Sequence, residues 1–207
     1  MFVEPRKQAL IGGLIDVCRA VITVNADHLS ELDRAIGDGD HGTNMRRGCE
    51  AVYAERDRIM ALPLPQALEQ IGFTLVMNIG GAAGPLYGTL LIEIGRQMGK
   101  NGEQADFPSV LEYAVDAVAR RGRAAAGDKT LLDVLYPVYT EVLRRSDLAG
   151  IAEEAERSAK LTFGMKAMRG RASFLGDRSI GHVDPGAMSC ALLTAAVCRF
   201  LKEQGSA

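Results

Sequence analysis

The chain has 207 residues, 47% apolar and 24% charged, with 24 basic side chains against 26 acidic ones. That length holds one domain with a sizeable core, and a net charge of −2 excludes a protein that grips nucleic acid through a basic surface. Cys18, Cys49, Cys190 and Cys198 form no Cys-x-x-Cys pair, so they read as reduced core thiols of a cytoplasmic protein, not metal ligands. The opening Met-Phe-Val-Glu-Pro-Arg-Lys lacks the apolar run of a secretion signal.

Leu10, Leu14, Val17, Val21 and Val24 are spaced by three and four. They predict an amphipathic helix over residues 5–28 with that stripe inward. An acidic, glycine-rich stretch follows, then a second helix over residues 43–60. Pro63 and Pro65 end it and start a third, residues 66–79, burying Leu68, Ile71, Leu75 and Val76. A fourth covers residues 86–98. Residues 75–95 are apolar enough to resemble a membrane span. However, Gly80-Gly81-Ala82-Ala83-Gly84-Pro85 would break one, so two buried helices joined by a glycine turn are expected, with no membrane contact.

Asp106-Phe107-Pro108-Ser109 announces a fifth helix, to residue 126, with Val110, Leu111, Ala114, Val115 and Val118 inward. A sixth spans residues 130–145, a seventh residues 151–168, and Asp184-Pro185-Gly186 caps an eighth over residues 187–203. Met45, Met77 and Met188 read as core. No segment alternates as a strand would. The expected fold is therefore all-α, a single domain over residues 1–207 built from eight helices.

The chemistry sits between the helices. Asp33, Asp38 and Asp40 fall within eight residues, with Gly37, Gly39 and Gly42 among and after them. Glycines let the backbone fold back, so the carboxylates can converge, and converging carboxylates need a cation between them. Oxygen ligands and neighbouring N–H donors at a helix start suit Mg²⁺ and phosphate. A solvated Asp/Gly turn is the alternative. An EF-hand is excluded, because counting from Asp38 the loop places Gly42, Thr43 and Cys49 where oxygen, glycine and glutamate are required. The Gly80–Gly84 turn lets backbone N–H groups approach a phosphate, or simply joins two helices. In Gly127-Asp128-Lys129-Thr130, Asp128 or Thr130 is either a helix cap or a neighbour of the ligand. Residues 169–186 carry Arg169, Arg171 and Arg178 among glycines, which suits polyphosphate or a basic solvated loop. In an up-and-down bundle alternate connections share one end. All four unusual stretches are then neighbours.

Gly37-Asp-Gly-Asp-His-Gly42 with Asp33 upstream, the Gly-Gly-x-x-Gly-Pro turn, Gly-Asp-Lys-Thr-Leu-x-Asp, and the Gly170–Ala187 motif Gly-Arg-Ala-Ser-x-Leu-Gly-x-Arg-Ser-x-Gly-His-x-Asp-Pro-Gly-Ala resemble the nucleotide-binding L subunit of dihydroxyacetone kinase. The resemblance runs from about Leu10 to the last helix. It implies a closed barrel of eight antiparallel helices holding ADP or ATP at one end through two Mg²⁺ ions. It further implies that Asp33, Asp38 and Asp40 ligate the metals, and that His41, Thr43, Asn44, Ala82 and Ala83 lie along the phosphates. Gly122 and Leu131 would wall the adenine and ribose, with Arg171 nearby, and Asp184, Pro185 and Gly186 would close the site. Ala83 stands where the family commonly has serine, removing one hydroxyl contact to phosphate.

The resemblance assigns no catalytic group to this chain beyond the metal ligands. A separate K subunit would hold the ketose, and a phosphohistidine-carrying phosphotransferase-system subunit would rephosphorylate bound ADP. ATP exchanges instead in the ATP-dependent branch. The nucleotide domain of a fatty-acid kinase shares the Asp-Gly-Asp and Thr-Asn-Met theme, but usually has Thr at position 41 and lacks the His-x-Asp-Pro-Gly closure. A nucleotide-loaded module acting on a transcription regulator would use the same site without turnover.

Overall fold

The computed structural model describes residues 5–102 and 106–205. Helix α1 (Pro5–Ile36) runs past its expected end at residue 28. The reason is a stripe of Ile15, Ile22, Leu29 and Ile36, at heptad spacing and no more than 5% exposed, which keeps one face apolar up to the acidic loop. This corrects the expected stripe. Val24, assigned inward, is 83% exposed, because the buried face is turned by one residue, about 100° around the helix. Both sets of positions have helical spacing, and only the neighbours choose between them.

The remaining elements follow the sequence closely. They are α2 (His41–Ala54), α3 (Arg56–Met60), α4 (Leu64–Asn78), α5 (Ala83–Asn101), α6 (Phe107–Gly122), α7 (Leu132–Leu143), α8 (Leu148–Leu161) and α9 (Pro185–Gly205). Short 3₁₀ stretches occupy Thr162–Gly164 and Arg171–Ser179. Among the described residues there are thus nine α-helices, not eight, and no strand. The second expected helix is split at Glu55, whose carboxylate leaves the helix surface to accept from Gln70 Nε2 and Thr74 Oγ1 of α4, at 3.1 and 3.2 Å. The seventh stops at Leu161, short of residue 168. Asp106 and Asp147 cap α6 and α8 by accepting from the N–H groups of Ser109 and Gly150.

Neighbours in the chain are neighbours in space. α1 packs on α2 and α3, α2 on α4, and α4 through α9 each on the next, while α9 packs back on α1. The ring is closed. Its core holds Ile22, Leu29, Met45, Leu111, Val115, Val118, Val134 and Ala191, including three of the five residues expected inward on α6, whose other two, Val110 and Ala114, are also buried. Met77, expected in the core, is 82% exposed on α4. All four cysteines are free, and burial pushes the Cys18, Cys49 and Cys190 thiols up to about 12, so they serve as protonated packing groups. Among the described residues, α1 is long and apolar enough to cross a membrane by length and composition, and here it forms part of the ring wall.

At Gly42 the start of α2 touches α1 so closely that a Cβ there would sit 1.8 Å from the Ala26 carbonyl oxygen. Only glycine permits this approach. Gly42→Ala is expected to destabilise the protein by about 3 kcal/mol, the upper range for overpacking, read as a lowered midpoint in urea denaturation.

Candidate nucleotide and metal site

Asp33 lies in the last turn of α1, 9% exposed. Its Oδ2 accepts from the backbone N–H of Asp40 at 2.9 Å and of His41 at 3.1 Å. These bonds fold the acidic loop back onto the helix end, and the reversal passes through Gly39 at φ +78°, a conformation costly for any residue with a Cβ. The consequence is convergence. One ligand oxygen from each of Asp33, Asp38 and Asp40 lies within 4.8 Å of the others. Three oxygens so placed suit a hard divalent cation. Asp38 also pairs with Arg171 from the α8–α9 connection.

A cavity of about 500 Å³ opens over this cluster. It is lined from the α1–α2, α4–α5, α6–α7 and α8–α9 connections, so the four unusual stretches do share one end. Asp33, Asp38, Asp40, His41, Asn44, Ala82, Ala83, Gly122, Leu131, Arg171, Asp184, Pro185 and Gly186 all face it, with Arg121 and Arg169 adding positive charge. Thr43 does not line it and is exposed. His41 and Asn44, three residues apart, share one face of α2, and Thr43 falls on another.

The α6–α7 connection is built by its own side chains. Asp133 accepts from the N–H groups of Gly127 at 2.5 Å and Thr130 at 2.7 Å. Thr130 Oγ1 accepts from Leu132 N–H at 3.1 Å, and Asp128 accepts from Ala125 N–H at 2.9 Å. Neither is the N-cap of α7, which is Leu131 with no side-chain bond; Asp128 instead closes the turn back onto Ala125, and Thr130, beside Leu132, lines the cavity. Asp128 also meets Arg169 at 3.4 Å, across to the α8–α9 connection.

Nothing in the local sequence distinguishes Lys129, yet it is 1% exposed at φ +60°. Its ammonium donates to the carbonyls of Met165 at 3.1 Å, Ser179 at 2.6 Å and His182 at 2.5 Å. All three N–H bonds are used, so the charge is solvated by backbone instead of water. Burial lowers its pKa and the nearby Asp184 opposes that shift. This clamp holds the segment carrying Arg171 against the α6–α7 turn. No local signal marks a buried lysine, because its partners lie up to 53 residues away.

Asp184 is nearly buried, caps α9 by accepting from Ala187 N–H at 2.7 Å, and donates its own N–H to Thr162 Oγ1 at 2.9 Å. Burial raises its carboxyl to about 7, against the pull of the Ala187 N–H and Lys129. Behind the cavity, His41 Nε2 is 2.9 Å from Ser189 Oγ, which is 2.7 Å from the Tyr87 hydroxyl. Burial lowers the His41 pKa although Asp33 and Asp40 favour its charged form.

The sequence profile of the DAK2 domain matches residues 35–199, most of the chain and every connection that lines the cavity. The chain belongs to the DAK2 domain family. It is 41% identical over 170 residues to the ADP-binding subunit DhaL of a PEP-dependent dihydroxyacetone kinase from Listeria innocua, spanning 82% of this chain and 84% of that one. The corresponding Escherichia coli subunit is 37% identical over 196 residues, 90% of this chain and 93% of its own. These matches make the protein a DhaL-type member of the family. The crystal structure of the dihydroxyacetone kinase of C. freundii with AMP-PNP and Mg²⁺ superposes with a TM-score of 0.76. That likeness covers 96% of this chain and 34% of the other at 24% identity, and concerns the fold.

Two variants probe this end of the DAK2 fold. Lys129→Met leaves three carbonyls without their donor and is expected to cost about 3 kcal/mol, read by chemical denaturation. For Asp184 the folded pKa is raised to about 7. Its contribution to stability is therefore full below about pH 4, the unfolded value, and is lost as pH rises through about 7. Asp184→Asn is expected to flatten the fall in melting temperature across that window relative to the native protein.

Proposed function

We propose that this DAK2 protein is the cytoplasmic, Mg²⁺–nucleotide-carrying subunit of a multi-subunit dihydroxyacetone kinase. The observation that carries the reading is the convergence of Asp33, Asp38 and Asp40 on a cavity that Arg171 and the Gly80–Ala83 turn also line. The likeness to DhaL subunits over more than four fifths of both chains supports it.

In this reading Asp33, Asp38 and Asp40 hold two Mg²⁺ ions. The metals offset phosphate charge, which is the main demand of phosphoryl transfer. Asn44 and the backbone N–H groups around Ala82 and Ala83 orient the phosphates, and Arg171 leaves Asp38 to meet them as a fork of donors. Gly122 and Leu131 receive the adenosine, the glycine because a side chain there would narrow the slot. Asp184, Pro185 and Gly186 form the wall at the start of α9. The chain offers position and charge, and no covalent nucleophile.

Two partners follow. A K subunit presents dihydroxyacetone or a related small ketose at the mouth of the cavity, and a phosphohistidine-bearing subunit of the phosphotransferase system returns phosphate to bound ADP.

Purification in Mg²⁺, long dialysis and denaturation are expected to release about one ADP per chain, as a fixed cofactor would. Freely exchanging ATP would instead mark an ATP-dependent kinase subunit. Asp38→Asn is expected to abolish Mg²⁺-dependent ADP binding in calorimetry while the circular dichroism of the helices is unchanged. Retained binding would overturn the metal assignment.

A further inference from the structure

Behind the cavity wall, side chains from three helices meet in one hydrogen-bonded knot. His41 comes from the first residue of α2, Tyr87 from α5 and Ser189 from α9. Ser189 Oγ lies 3.0 Å from the Gly186 carbonyl oxygen, 2.7 Å from the Tyr87 hydroxyl and 2.9 Å from His41 Nε2. Tyr87 lies a further 3.3 Å from the same Gly186 oxygen. Ser189 is fully buried and Tyr87 nearly so, so no bulk water completes these bonds.

Counting protons orients the knot. The Gly186 carbonyl only accepts, and each hydroxyl has one proton to give. If the serine gives its proton to Gly186 and the tyrosine gives its own to the serine, Ser189 Oγ still has a lone pair for His41. Every contact of 3.0 Å or less then holds a proton, provided that His41 Nε2 carries one. With a bare Nε2, the two hydroxyl protons serve three contacts, so one of the 2.7, 2.9 and 3.0 Å contacts is left without a proton whichever way the serine turns. A buried contact of that kind is costly.

We propose that Ser189 and Tyr87 are positioning residues that fix the proton of neutral His41 on Nε2, so that Nδ1 meets the cavity as a hydrogen-bond acceptor. The proposal rests on the nucleotide-site reading above. It assigns His41 a role distinct from a neutral donor to bare phosphate oxygens: Nδ1 receives a hydrogen bond from an O–H in the site, a water or hydroxyl among the phosphates. Arg171 and the backbone N–H groups are left to meet the phosphate oxygens. It also explains why the first residue of α2, the start of α5 and the first turn of α9 stay in register, since one serine oxygen joins all three.

The test reads the ring directly. The chain has three histidines, so two-bond ¹⁵N–¹H spectra of ¹⁵N-histidine-labelled protein at pH 8.5 are simple, and His41→Gln assigns the His41 signals. The native protein is expected to show a protonated Nε2 and a bare Nδ1 at His41. Ser189→Ala is expected to mix the two tautomers and to weaken Mg·ADP binding about threefold to tenfold, the effect of one lost hydrogen bond. Tyr87→Phe, which keeps the ring, is expected to shift both readouts in the same direction by less. A native spectrum with the proton on Nδ1, or a pattern unchanged in both variants, overturns the proposal. Native protein that fails to bind Mg·ADP in calorimetry overturns the functional reading itself, and the tautomer of the free protein separates the two failures.

Discussion

Three carboxylates held within 4.8 Å of one another are the constraint on which this end of the molecule turns. At about 4 Å a pair of like charges repels by roughly 1 kcal/mol in water and several times more beside protein. A flexible loop would relieve that by swinging apart. Here Asp33 is anchored in α1 and spends one oxygen on two backbone N–H groups. Asp38 is met by the Arg171 guanidinium. The repulsion is thus held in place by donors, leaving a strongly negative point in which a divalent cation gains most. A closed helical ring is what makes such anchoring possible, because α1 is fixed on two sides, by α2 and by α9.

The connections around that point are ordered by buried polar groups, not by apolar packing. Asp133 builds the α6–α7 turn, Lys129 ties it to the α8–α9 segment, and Ser179 accepts from Ala167 N–H at 2.9 Å within that segment. Long irregular segments are normally mobile because their backbone groups look to water. Here an ammonium and a few hydroxyl and carboxylate oxygens take the place of water, and the segment bearing Arg171 acquires a defined position. The arrangement carries a hazard as well as order, since losing one member leaves several buried groups unsatisfied.

Ligand recognition and fold stability therefore draw on the same residues. Asp184 caps α9, faces the cavity and interacts with Lys129. Gly42 lets α2 approach α1, and so sets where His41 and Asn44 point. A site assembled from four connections has no single rigid platform, and its precision comes from the ring that brings the connections together.

Much of this was legible in the sequence by itself. Apolar spacing of three and four along nearly every segment determines an all-α chain, since such periodicity is local and needs no partner to be read. The order of helices places alternate connections together, and the Asp33–His41 stretch declares its chemistry by residue type and glycine content. What only the tertiary structure decided are choices between locally equivalent answers and contacts between distant residues. The buried face of α1 turned by one position, the break at Glu55, Thr43 outside the cavity and Met77 on the surface belong to the first kind. Lys129 with its carbonyls, and His41 with Ser189 across 148 residues, belong to the second. Helical periodicity reports that a face is buried, but which neighbour lies against it, and which polar atom waits there, is settled only when the ring closes.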